Sequence, residues 1–243
     1  FVQDWAQTQL QPISAQLALG ARYFDFRPAV DILDGEWKIC HAAIIGGLLE
    51  PLLIQIADFL EAHPSEFVIL AFSNFRNEVG ELKDQELIQM LGEIFGGRIL
   101  EEGPSLSEYR VGQMVDSGKQ ILIIMDTSSH SAFNDSPLVW TNFYSNLKFN
   151  SYANSDSFEY MTWFNRQMVS YFKSGVQHDI YVPQVDPHYF DFALFIISWT
   201  QTESGLDVVK SVVEGERGSI LDYSREAMRR FGEFYEEVAG QNE

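Results

Sequence analysis

The sequence predicts an α/β fold with a parallel sheet. Three observations carry this: continuous apolar runs of strand length, amphipathic segments of helix length alternating with them, and enough residues for one large core. The runs FVILAF (67–72) and ILIIM (121–125) lack the polar alternation of a half-exposed strand, so burial on both faces is expected. Around them lie segments with apolar residues at three- and four-residue spacing. The 243 residues, 46% of them hydrophobic, suit one α/β barrel or one large α/β domain, and a single domain over 1–243 is expected.

In chain order, 1–11 is a polar entry loop carrying Trp5, followed by a helical turn over 13–19 that Gly20 terminates. Two strands follow, 21–26 and 36–41, joined by a turn region containing Pro28, Asp34 and Gly35. The segment 48–62 has Leu49, Leu52, Leu53, Ile56, Phe59 and Leu60 at helical spacing, and His63-Pro64 ends it. After the strand 67–72, a helix over 82–95 stops at Gly96-Gly97, a weaker helical signal covers 105–115, and the strand of 121–125 ends on Asp126. The long polar and aromatic stretch 127–154 reads as a loop, and loops of such length are usually functional or flexible. Ser155-Asp156 is placed to cap a helix over 158–172; a strand at 194–200 and an amphipathic helix over 221–238 close the chain.

Composition narrows the function. A formal charge of −19 with only 16 Lys and Arg argues against nucleic acid as a partner, since neutralising phosphates needs clustered cations. It argues equally against strong attraction to anionic lipid, so any membrane contact would be apolar or transient. No apolar run approaches the roughly 18 residues needed to cross a bilayer. The chain opens at Phe1 without methionine or signal peptide, which suggests a processed or trimmed chain. Cys40 is the one cysteine, so compartment is not legible from cysteine usage, and its strand position predicts an inert core thiol.

The chemistry concentrates between Leu19 and Ala42. Asp25 and Arg27 close the first strand and His41 closes the second. If the strands are neighbours in a parallel sheet, a permanent cation and an imidazole that titrates near neutrality meet at one rim, an arrangement suited to a phosphate ester. The bland alternatives are a structural ion pair of Arg27 with Asp25 and a hydrogen-bonded rim position for His41. His63 reads as a helix-end residue; His130, His178 and His188 read as surface groups. No HxH, HExxH or clustered carboxylate pattern suggests a metal site.

GARYFDFRP followed by CHA, and then HPSEFVILAF, resembles the X domain of phosphatidylinositol-specific phospholipase C, most of all its metal-independent, bacterial-type branch. The likeness runs from about Trp5 to Thr200 and is strongest from Gln16 to Phe75. It implies an irregular TIM-type (β/α) barrel whose site lies at the carboxyl ends of the strands, where Arg27, His41, Ser73, Asn74, Asp126 and Thr200 fall. About six strands are legible, so the barrel is expected to be incomplete at the seam between first and last strands. The resemblance implies cleavage of a phosphodiester by the sugar's own hydroxyl, with Arg27 stabilising charge on the phosphoryl oxygens, His41 as general acid and Asp25 orienting Arg27. Tyr152, Asn74, Asp126 and Trp199 are the substrate-binding candidates.

The family's first histidine, in a segment like S-x-P-G-T-H-D, has no counterpart here, nor does its closing strand. The expectation is an internal portion of a longer protein. Ser73-Asn74 and Asp126 stand where relatives can carry cations, which leaves Arg27 more isolated. Where related magnesium- or calcium-dependent phosphodiesterases, the glycerophosphodiester phosphodiesterases and sphingomyelinase D-like enzymes, have an E-x-D pair, this chain has Tyr23 and Asp25; a hard divalent ion wants several oxygens, so metal independence and no cofactor are expected. The implied partner is a phosphoinositide or related phosphodiester. The alternative from another class is a catalytically inactive binding module on the same barrel.

Overall fold

The computed structural model describes residues 11–41, 44–77, 80–126, 130–141, 148–151, 153–155, 157–174, 194–197 and 230–237. Helix α1 (Ile13–Ala18) leads into β1 (Tyr23–Phe26), then β2 (Pro28–Val30), β3 (Trp37–His41), β4 (Ile44–Leu48) and α2 (Glu50–Ala62). Next come β5 (Val68–Ser73), α3 (Glu81–Phe95), α4 (Val111–Asp116), β6 (Ile121–Asp126), the short α5 (Ser131–Asn134) and β7 (Trp140–Thr141). The chain divides into two compact units: Leu10–Leu147, and Phe1–Gln9 with Lys148–Glu243.

The first unit is built on a parallel sheet of order β1-β5-β6-β7. Pairings such as Phe24↔Leu70 and Leu70↔Ile123 put Phe24, Phe26, Val68, Leu70, Phe72, Ile121, Ile123 and Met125 on one face. They pack in one core with Leu53, Ile56 and Leu60 of α2 and Leu87, Leu91 and Phe95 of α3. On the opposite face, Ala71, Leu122 and Ile124 are buried as well. Burial on both sides is why these strands read as unbroken apolar runs.

The helices begin and end where the local chemistry allows. Pro51 in the first turn of α2 forfeits no intrahelical hydrogen bond, and beyond Ala62 the His63 ring donates from Nδ1 to the Phe59 carbonyl at 2.8 Å. The carbonyls left open there are met by buried Gln120, whose amide donates to the carbonyls of Leu60, His63 and Glu66. Between β5 and α3, Asn77 donates to Asp84 at 2.7 Å, and Asp84 in turn holds the His130 ring at 2.9 Å. His130 is thus a partly buried, partnered residue rather than the surface group its loop position suggests.

The strand at 36–41 departs from expectation. It is not the next parallel strand: β2, β3 and β4 form a separate antiparallel sheet, with Val30 opposite Trp37 and His41 opposite Ile44. The reason is length. Parallel strands need a crossover of about a dozen residues or more, and 27–36 is too short for one but ample for a hairpin. Gly35, at φ 77°, supplies the left-handed turn residue there.

In the second unit, β8 (Lys148–Ser151) and β9 (Leu194–Ile197) pair in parallel. Helix α6 (Phe158–Ser174) buries Met161, Phe164, Met168 and Val169. Its amino-terminal cap is Ser157, whose hydroxyl accepts from the Tyr160 amide at 3.2 Å, one to two residues later than the Ser155-Asp156 reading placed it. Residues 230–237 form a last helix, α7, tied to α6 by Arg166 and Glu237.

Candidate active site

At the carboxyl end of β1 the chain leaves the parallel sheet. Arg27 lies between β1 and β2, and the Cys40 amide donates to its carbonyl at 2.8 Å, which brings the end of β3 beside it. At the carboxyl end of β5, Asn74 takes a left-handed conformation, φ 51°. Asn is one of the few residues that visits this region, because its short polar side chain finds local partners; here its amide reaches Ser73 Oγ at 3.4 Å. The turn sends 75–76 back toward β2, where the Arg76 amide donates to the Pro28 carbonyl at 3.0 Å and the Val30 amide donates to the Arg76 carbonyl at 2.8 Å. Arg27, Cys40, Asn74, Phe75 and Arg76 then line a cavity of about 300 Å³.

Two arginines therefore line one cavity. Arg27 is half-buried and Arg76 exposed. Among the described residues neither side chain has a hydrogen-bond or ion-pair partner. The Cys40 thiol feels both: burial pushes its pKa up, while the charges of Arg76 and Arg27 pull it down. His41 is partly buried, and burial first, then the positive charge of Arg27, holds its imidazole below the ordinary 6.5. His41 thus lies within electrostatic reach of Arg27, although the cavity wall beside it is Cys40.

A second polar group occupies the same ends of the parallel strands. Ser73 Oγ donates to Asp25 Oδ1 at 2.9 Å, and Ser73 pairs in register with Asp126. Beneath them the Tyr23 hydroxyl is buried without a hydrogen-bond partner among the described residues. Its pKa is driven far up by burial and then by the charges of Asp25 and Asp126, so it stays a neutral phenol. Among the described residues no group of three or more His, Cys, Asp or Glu is placed to hold a metal ion, and no helix is long and apolar enough to cross a membrane.

The structure sorts the residues singled out in the sequence. Arg27 and Asn74 meet at the cavity, and His41 stands close by. Asp25 is bound by Ser73 and makes no ion pair with Arg27 among the described residues, so the orienting contact expected of it is replaced by one to a neighbouring strand. Asp126 ends β6 alongside Ser73, outside the cavity wall. Tyr152, Trp199 and Thr200 lie outside the described residues. Two expectations are corrected: Arg27 is not isolated among the cavity's cations, because Arg76 joins it, and Cys40 is a partly exposed wall residue rather than core. The signal that could have found Arg76 is the Asn two positions before it, a residue suited to reversing the chain at a strand end.

The fold and the family can be compared with known proteins. The PI-PLC X profile matches residues 1–159. The chain is 31% identical over 151 residues to PI-PLC X domain-containing protein 1 of Homo sapiens, an alignment covering 58% of this chain and 45% of the human protein. It is 37% identical over 112 residues to the Danio rerio protein of the same name, covering 44% of this chain and 36% of that protein. The chain thus spans less than half the length of these relatives. Among solved structures, the phosphatidylinositol-specific phospholipase C of Listeria monocytogenes superposes with a TM-score of 0.63 at 17% identity, over 99% of this chain and 77% of that one. The Staphylococcus aureus enzyme does so at 0.60 and 13%, over 98% and 76%. These likenesses show the fold, the TIM-type α/β architecture, although among the described residues the strands form open sheets of four, three and two. With a family match over well more than half its length and this fold, the chain belongs to the PI-PLC X domain family.

Proposed function

We propose that this chain carries the phosphoryl-binding half of a phosphodiesterase of the phosphatidylinositol-specific phospholipase C type, acting on phosphatidylinositol or a related glycerophosphodiester. The observation that supports it most is the half-buried Arg27, without a hydrogen-bond or ion-pair partner among the described residues, on a 300 Å³ cavity within electrostatic reach of His41. A guanidinium free of any carboxylate keeps its full charge for the phosphoryl oxygens as negative charge grows on them in the transition state. His41 serves as the general acid. Burial and Arg27 favour its neutral form in the empty site; an anionic phosphoryl group on Arg27 offsets that repulsion and raises the affinity of the imidazole for the proton it must deliver. Asp25 and Ser73 form a fixed polar rim beside them. Because Arg27 and Arg76 supply the positive charge, catalysis proceeds without a divalent ion.

The test uses the full-length protein, since the chain spans less than half of its curated relatives. His41→Ala is expected to lower release of the cyclic inositol phosphate by about two to four orders of magnitude. Chelator is expected to leave activity intact; strong inhibition by it would favour the metal-dependent phosphodiesterases instead. One observation favours a second reading, an anion-binding module without turnover: the cavity wall is formed by Cys40 and not by His41. Full-length protein that binds the phosphodiester but never cleaves it would support that reading.

A further inference from the structure

We infer that Asp84 and His130, outside the cavity, are a positioning pair for its wall: through Phe75 they set where Asn74 and Arg76 stand toward a bound phosphoryl group, a role that rests on the phosphoryl-binding function proposed above. The pair lies one layer behind the wall. His130 Nδ1 donates to Asp84 Oδ2 at 2.9 Å, and Asn77 donates to the other oxygen, Oδ1, at 2.7 Å. Asn77 also closes the link ahead of α3, donating to the Gly80 carbonyl at 2.8 Å and accepting from the Gly80 amide at 3.1 Å. One carboxylate thereby joins three segments that lie beyond the carboxyl ends of β5 and β6: the turn at 74–77, the first turn of α3 and the start of α5.

The contact with the wall is made by rings. The His130 ring lies 5.3 Å from that of Phe75 and 5.6 Å from that of Phe133, and the two phenyl rings are 5.1 Å apart, centroid to centroid. Phe75 is itself a cavity residue and stands between Asn74 and Arg76, which line the cavity too. A shift of the His130 ring is thus passed to the chain on either side of Phe75. Asp84 is only 2% exposed. Burying a carboxylate costs solvation that an apolar side chain in its place would not lose; hydrogen bonds to both oxygens and the amino-terminal dipole of α3 offset that cost. What the carboxylate adds over apolar packing is direction, since a hydrogen bond fixes the orientation of the imidazole and a hydrophobic contact does not. Neither Asp84 nor His130 lines the cavity, so their influence on a bound group runs through placement.

Cys40 shares the cavity wall and its thiol feels the charges of Arg76 and Arg27, so it reports where those charges stand without reference to turnover. In the full-length protein, Cys40 is alkylated with anionic iodoacetate and with neutral iodoacetamide, the thiolate displacing iodide from each, and the modified peptide is quantified by mass spectrometry. Relative to free cysteine, the wild type is expected to favour iodoacetate by about tenfold, the lower end of the enrichment that a cleft of one sign gives an oppositely charged reagent. His130→Phe keeps a ring against Phe75 and Phe133 and removes the nitrogen that Asp84 holds. It should lose most of that preference and lower kcat on phosphatidylinositol by about ten- to a hundredfold, with KM little changed. Asp84→Asn, of the same shape, tests the contact from its other side and should move both readings the same way. Leu60→Val loosens the buried core at the amino ends of the strands, away from the cavity, and should leave both at wild-type values although it lowers the thermal midpoint. Wild-type preference and kcat in His130→Phe and Asp84→Asn, or an equal loss in Leu60→Val, would overturn the inference. Failure of the underlying role looks different: the wild type itself would then show no preference for iodoacetate, and Arg27→Gln would leave turnover unchanged.

Discussion

Strand β1 carries an arginine just before its first residue and another just after its last, and the two are treated in opposite ways. At the amino end, Arg22 is engaged within the fold: it pairs with Glu66 at 2.7 Å, donates to the carbonyls of Leu17 and Ala21, and lies 4.7 Å over the Phe59 ring. At the carboxyl end, Arg27 has none of these among the described residues and lines a cavity with a second arginine, Arg76. A side chain most of whose donors are engaged within the fold contributes to stability and has little left for a ligand. One whose donors are open costs the fold repulsion and is ready for an anion. Stability at the amino ends of the strands and chemistry at the carboxyl ends is the division of labour expected of parallel α/β architectures.

The contrast can be broken or sharpened by exchange. The largest effect is expected at the carboxyl end: in the full-length protein, Arg27→Gln should reduce turnover by about two to three orders of magnitude, the usual worth of a transition-state charge stabiliser, while shifting stability by no more than about 0.5 kcal/mol. Arg22→Gln should do the reverse, lowering the thermal midpoint and sparing binding of glycerophosphoinositol. A variant of either arginine that moved both quantities together would dissolve the distinction.

A smaller effect is expected at Asn74. With φ at 51°, replacement by Ala forces a Cβ-bearing residue without a compensating polar group into left-handed space and should cost about 1 kcal/mol in denaturant unfolding, whereas Asn74→Gly should be close to neutral. Equal stability of the two variants would mean that the turn is not held by this residue's conformation.

The smallest is a titration. His41 should titrate below 6.5 in the folded chain, and Arg27→Gln should move it upward, as read from the imidazole resonances by NMR. The stability consequence has a definite sign. The folded value is depressed, so the unfolded chain takes up the proton first as pH falls; the contribution of His41 is intact above about 6.5 and is lost as pH drops through the folded value. An imidazole that titrates at the same pH with and without Arg27 would separate the two groups electrostatically and weaken the site with them.

Local pattern made most of the scaffold legible. The helix expected over 48–62 is α2 (Glu50–Ala62), that expected over 82–95 is α3 (Glu81–Phe95), and the two apolar runs are β5 and β6, because periodicity reports directly which positions a helix or strand buries. The same holds for Arg27 and His41, which are read from a contiguous stretch and from the order of motifs around it. The orientation of β3 was not read, because two apolar strands look alike whether they pair in parallel or not; only the length of the link between them, weighed against the crossover a parallel pair requires, distinguishes the cases.

What the sequence by itself determined is the set of elements and the identity of the groups at their ends, since both follow from interactions among residues a few positions apart. The company those groups keep was decided by the tertiary structure. Arg76 lies 49 positions from Arg27 in the chain and comes beside it only because a left-handed turn at Asn74 joins β5 to the hairpin through main-chain hydrogen bonds. Such bonds use the backbone that every residue shares, so they leave no mark in the pattern of side chains, yet here they convert one cation into a pair.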